Sequence, residues 1–190
     1  MMKKKVIMVH GWGGSPDSEA WFPWLKNELT KKGVLFKFPR MPNTDNPKID
    51  ALVKKLKKES GEIDENTYFI GHSMGCQTIM RYLEKLDKNK KIGGIIFVAG
   101  WINLIMENIE SEGKESVKIA KSWINSPINF KKVKNHTNKI LVILSDNDSW
   151  VPISDGELFK KNLGARLIIK HNEEHFNDTK EIKEILEFLK

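Results

Sequence analysis

The chain is predicted to fold as an α/β protein. It reads as a three-layer α/β/α sandwich on a doubly wound, mainly parallel sheet of about six strands. Three observations predict this. Short runs of continuously apolar residues recur along the whole chain, as strands do when helices cover both faces of their sheet. Longer amphipathic stretches separate them. Residues able to do chemistry crowd the positions just after the apolar runs, where ligands sit in open parallel sheets.

The first strand is "VIMV", 6–9, followed by the glycine turn "HGWGG". "FPWLKNELTKKG" then predicts a helix from near Pro23 to Gly33, because proline suits a first turn and glycine a stop. The second strand is "VLFKF", 34–38. "PKIDALVKKLKKES" follows as a helix with Ile49, Leu52, Val53 and Leu56 on one face. The third strand, "TYFI" at 67–70, runs through "GHSMG" into the helix "SMGCQTIMRYLEKL". "IIFVA" (95–99), "ILVIL" (140–144) and "ARLII" (165–169) are the remaining strands. "SDGELFKKNLG" is a helix ending at Gly164, and "DTKEIKEILEFLK" closes the chain as a helix with Asp178 as its N-cap. One stretch breaks the rhythm. Residues 101–138 are longer than a simple crossover needs, and form either a helix with a flap over the site or a longer crossover helix with a loop.

The length of 190 residues suits one domain, 1–190, with a real core. The net charge is +7, but the lysines scatter beside acidic residues in "KKLKKES" and "EKLDKNKK", which reads as solvated helix faces and not as a nucleic-acid surface. A single cysteine, Cys76, allows no internal disulfide and fits a reducing compartment; one turn into its helix, it reads as a small core residue. The apolar run behind "MMKKK" is too short for a signal peptide, and no segment is long and apolar enough for a membrane span. A cytoplasmic protein without membrane contact is the expectation.

Four strand ends gather Ser73, Asp146, Asp148, His171 and His175 on one edge of the sheet. In G-x-S-x-G the serine sits on a strained strand-to-helix turn, and small neighbours let strand and helix approach. A serine hydroxyl needs a base, and the base needs an acid to fix its tautomer. The chain order serine, acid, histidine is met here. Two acids compete, Asp146 and Asp148, and so do two histidines. His171 stands at a strand end, whereas His175 lies deeper in the loop, with more freedom to reach Ser73. An oxyanion is expected to be held by the Met74 amide at the helix start and by an amide of the "HGWGG" turn, that of Trp12.

With these residues in view the chain resembles the small serine hydrolases grouped with the retinoblastoma-binding-protein-type hydrolase, a branch of the α/β-hydrolases. "VHGWGGSPDSEAWFPWLKNEL", "FIGHSMG", "SDNDSWVP" and the final "HF" carry the likeness, which runs from Val9 to the last helix. It implies an α/β-hydrolase fold with a minimal cap. It places the acid in Asp-x-x-Val-Pro, hence Asp148, and the histidine directly before phenylalanine, hence His175 with Phe176. Where members carry glycines before that histidine, Glu173 and Glu174 stand here, so the positive φ of glycine is expected to be lost. The Leu-x-Cys-x-Glu stretch credited with retinoblastoma binding in the namesake is missing around Cys76, and that partner is not carried over.

Trp12, Trp101 and Trp150 each follow a strand and would form an aromatic rim for an apolar acyl or alkyl group, with loop packing as the alternative. Two rival functions remain. "HNEEH" fits an inverted zinc-protease pattern at His171, Glu174 and His175, which needs a helix presenting both histidines. A catalytically silent fold used as a binding module is the other. The reading is therefore a serine hydrolase, a carboxylesterase on small or medium acyl esters. Ser73 is nucleophile, His175 base, Asp148 its partner, Trp12 and Met74 the oxyanion donors, and no metal or cofactor is needed.

Overall fold

The computed structural model describes residues 3–190. Six strands form one sheet in the order β2-β1-β3-β4-β5-β6. They are β1 (Lys5–Val9), β2 (Leu35–Lys37), β3 (Thr67–His72), β4 (Gly94–Val98), β5 (Ile140–Ser145) and β6 (Arg166–Lys170), and every pairing is parallel. Each expected strand is present. The edge strand β2 is shorter than its apolar run, because Val34 lies in the turn after α1 and Phe38 leaves the ladder.

Strand side chains alternate between two cores. Ile7, Val9, Phe69 and Phe97 face one; Val6, Met8, Ile70 and Ile96 face the other. The first core is closed by α2 (Ile49–Ser60), α3 (Met74–Leu83), α5 (Lys114–Ile124), α6 (Phe130–Lys134) and α7 (Asp155–Leu163). The second is closed by α1 (Trp21–Lys31) and α8 (Lys183–Phe188). Trp21, Phe22, Leu25 and Leu29 are buried there, and each such side chain contributes about 1.5–3 kcal/mol. This is the three-layer, doubly wound sandwich of the sequence reading. The strand order reverses between β1 and β3, which leaves a crevice beyond their carboxyl ends.

Two helix starts differ from expectation. Helix α1 begins at Trp21, so Pro23 lies inside the first turn, where a missing N–H costs no hydrogen bond. Helix α8 begins at Lys183, and Asp178 does not cap it. Thr179 Oγ1 donates to Glu173 Oε2 at 2.6 Å, which ties this stretch back to the preceding loop.

Residues 101–138 hold three short helices: α4 (Met106–Ser111), α5 and α6. Helix α5 is anchored at its end. Trp123 is buried and donates Nε1 to Pro47 O, and Arg81 Nη2 donates to the carbonyls of Trp123 and Ser126. These three short helices, the cap, are tied down at the end of α5. Among the described residues no helix is long and apolar enough to cross a membrane.

Candidate active site

The turn between β3 and α3 carries Ser73 at φ 50° and ψ −119°, a conformation other than glycine rarely adopts. Its neighbours must be small. A Cβ on Gly71 would come within 2.7 Å of Cys76 N, and one on Gly75 would overlap the Val9 carbonyl. The serine is held by its own amide, which donates to Val98 O at 3.0 Å. Met74 opens α3, so its amide has no carbonyl inside the helix. Among the described residues neither the Met74 nor the Trp12 amide donates to another group of the chain. Both stand free for an acceptor from outside.

The loop after β5 carries the competing acids, and the structure separates them. Asp148, with a side chain only 2% exposed, accepts from the Trp150 and Val151 amides at 2.8 and 3.1 Å through Oδ1. Its Oδ2 lies 2.8 Å from His175 Nδ1. That contact leaves His175 Nε2 as the ring nitrogen available for proton transfer. Asp146 instead pairs with His171 Nδ1 at 2.5 Å on the surface, where the His171 side chain is 83% exposed. Two acid–histidine pairs therefore form, and only the pair with His175 faces the cavity that Ser73 lines.

The His175 loop keeps the left-handed backbone that glycines would have provided. Glu174 and Phe176 stand at φ 48° and 62°, and Asn172 at 57°. At Glu174 the expected loss of positive φ does not occur, because side chains of the facing loop clamp the strained backbone; Glu173 is not in the left-handed region. Asp146 Oδ1 accepts from Asn172 N, Ser145 Oγ from Glu173 N and Asn147 Oδ1 from Glu174 N, at 2.9–3.0 Å. Buried Phe176 anchors the far side. Residues 171–177 contain no helix, and the two histidines turn to different acids, so the presentation required by the zinc pattern is not formed.

Ser73, Met74, Trp12 and His175 line a cavity of about 610 Å³, within the usual range for small-molecule sites. Trp101 and Trp150 line it too, with Leu104, Ile109 and Ile119 from the cap. The loop carrying Trp101 is held firmly. Gln77 Nε2 donates to Trp101 O at 2.6 Å, and buried Asp155 accepts from the Ile102 and Asn103 amides. Burial holds the Asp155 carboxyl above its ordinary range even so. Cys76 is fully buried, and burial pushes its thiol well up, which suits a core residue and not a nucleophile.

Sequence reasoning missed two groups beside the cavity, Glu19 and His72. His72 Nε2 donates to the His175 carbonyl at 2.8 Å, and the two rings are 5.1 Å apart. Burial, then the nearby His175, lowers the His72 pKa to about 3. Glu19, also in the cavity wall, is raised by burial. His72 stands within "GHSMG", but nothing in its spacing marks what it touches.

The profile of the serine hydrolase family matches residues 6–185. The chain is 30% identical to YdeN of Bacillus subtilis (strain 168) over 175 residues, 92% of this chain and 87% of that one. The crystal structure of the B. subtilis ydeN gene product superimposes with a TM-score of 0.87 at 27% identity, covering 98% and 97% of the two chains. The serine hydrolase RBBP9 of Rattus norvegicus is 24% identical over 188 residues, 98% of this chain and 94% of that one.

Proposed function

The chain belongs to the serine hydrolase family, and from that premise we propose a carboxylesterase for small or medium acyl esters that works through Ser73, His175 and Asp148. The observation that carries the reading is the Asp148–His175 contact of 2.8 Å, made at a cavity that Ser73 also lines. Ser73 Oγ attacks the ester carbonyl carbon while His175 Nε2 takes its proton. Asp148 accepts from Nδ1–H, holds the tautomer and steadies the imidazolium. The carbonyl oxygen gains the negative charge and accepts from the free Trp12 and Met74 amides. His175 then protonates the departing alkoxide, and a water deprotonated by His175 clears the acyl group from Ser73.

Support for an acyl or alkyl substrate comes from one part of the cavity wall, lined by three tryptophans with Leu104, Ile109 and Ile119, while Asp45, Glu112 and Glu115 line another. Such a surface favours apolar groups, each buried methylene adding about 0.8 kcal/mol. Hydrolysis of p-nitrophenyl esters of increasing acyl length tests the proposal. The expected outcome is a kcat/KM that rises from acetate and then declines once the cavity is full, with Ser73→Ala losing turnover at every length. A folded protein inactive on the whole series contradicts it.

A further inference from the structure

Behind His175 lies a pair of titratable side chains that the proposed triad does not use. Glu19 and His72 are 8% and 2% exposed. Glu19 Oε1 and His72 Nδ1 face each other at 3.6 Å, and His72 Nδ1 has no hydrogen-bond partner. Around them are three short contacts. His72 Nε2 meets His175 O at 2.8 Å, Ser18 Oγ meets Ser15 O at 2.8 Å, and Ser18 Oγ meets Glu19 Oε2 more closely still.

Each short contact needs one proton between its atoms, since two bare acceptors at that separation repel. The His175 carbonyl brings none, so His72 carries its proton on Nε2. The Ser15 carbonyl brings none either and already accepts from Ser18 N at 3.2 Å, so the single Ser18 proton serves either that carbonyl or Glu19. With it on the carbonyl, only a proton on Glu19 fills the Ser18–Glu19 contact. Three protons, one each from Ser18, Glu19 and His72, fill the three short contacts with both titratable groups neutral. The one contact left without a proton is the longest, at 3.6 Å, and it is the one with the unpartnered nitrogen. Burial favours the same assignment, because it disfavours a charge on either group.

We propose that Glu19, held as a carboxylic acid, and His72, held as its Nε2–H tautomer, are positioning residues that pin the backbone of His175. The need for a pin is visible in the loop. Glu174 and Phe176, on either side of His175, are both in the left-handed region, and such backbone persists only where its surroundings hold it. His72 holds the loop at the His175 carbonyl, and the residue after Glu19 holds it again, Ala20 N donating to Asn177 O at 3.1 Å. The neutral state of Glu19 has a purpose. An ionised carboxylate would draw a second proton onto His72 Nδ1 and set an imidazolium against the His175 ring, whose proton affinity the reaction uses.

The proposal rests on His175 being the base, so the test has one arm that depends on catalysis and one that does not. Infrared spectroscopy at neutral pH is expected to show a carboxylic-acid carbonyl band in the wild type that Glu19→Gln removes. In ester hydrolysis, His72→Phe is expected to lower kcat by about 10–100-fold with KM little changed, the scale of a lost positioning contact. His72→Gln, which can restore an N–H toward His175, recovers part of that loss. Glu19→Gln, an uncharged donor to Ser18, keeps most of kcat. Absence of the acid band overturns the neutral Glu19 even if the chain has no esterase activity. Wild-type kcat in a folded His72→Phe protein, a His72→Gln no better than His72→Phe, or a Glu19→Gln as impaired as His72→Phe overturns the positioning role.

Discussion

At the scale of single residues the site is a set of choices that neighbouring atoms make. Asp146 and Asp148 are two positions apart and chemically identical, yet only Asp148 combines burial, two backbone donors and a histidine in the cavity. Asp148→Asn would therefore cost kcat about 10³–10⁴-fold, since an amide no longer holds the tautomer with Nε2 free. Asp146→Asn keeps an acceptor for Asn172 N and alters only an exposed pair with His171, so kcat should fall far less. Steady-state kinetics on both variants checks the contrast, and equal losses would reassign the acid. Gly75 is as constrained. Gly75→Ala drives a methyl into the Val9 carbonyl and is expected to cost about 2–4 kcal/mol of stability, or to prevent folding. Denaturant melts would show it. The serine elbow was legible because its rule concerns residue type and spacing. The acid and the base were not separable by residue type, since what decides is burial and the direction each side chain takes.

At the scale of elements, two loops and a cap build the site. The end of β5 and the loop after it clamp the loop after β6 through Ser145, Asp146, Asn147 and Asp148 in succession, so a strained backbone without glycine is kept in place. Asn147→Ala removes the acceptor for Glu174 N, leaving that amide unsatisfied. The expected result is kcat lower by about 10-fold or more, KM nearly unchanged, and Tm reduced. An unchanged kcat would show that the loop holds itself. Helices α4 and α5 supply Ile109 and Ile119 to the cavity. Ile119→Ala would raise KM for longer acyl chains more than for acetate, which a chain-length series measures directly. The strands were readable as short apolar runs, α2 from its periodicity, and α3 from its place after the glycine-flanked serine turn. The three helices of 101–138 were not, because each is short and its burial depends on partners far away in sequence, such as Pro47 and Arg81. The start of α8 was misplaced for a similar reason: Thr179 is drawn to Glu173, a contact that no local capping signal announces.

For the whole molecule, the buried Glu19 and His72 link the site to folding. His72 binds its proton more weakly folded than unfolded, with a pKa near 3 against an ordinary 6.5. Its contribution is therefore fully present above about pH 6.5 and is lost as pH falls toward 3, with a slope approaching about 1.4 kcal/mol per pH unit. Glu19 is shifted the other way. Raised above its ordinary 4.5, it contributes most below that value and loses the contribution as pH rises through its folded pKa. Stability is expected to pass through a maximum between these limits. Glu19→Gln should flatten the high-pH side and His72→Phe the low-pH side, as read by urea denaturation across pH. Curves that keep the wild-type shape in both variants would show that neither group is held neutral.

Ser73 is proposed as a nucleophile activated by His175 and Asp148. Intact-mass analysis after treatment with a fluorophosphonate tests it most directly, on the wild type and on Ser73→Ala, His175→Ala and His171→Ala. One adduct is expected on the wild type and on His171→Ala, none on Ser73→Ala, and labelling of His175→Ala that is lost or slowed by orders of magnitude. A folded wild type that takes no label, or a Ser73→Ala protein that still does, would contradict it.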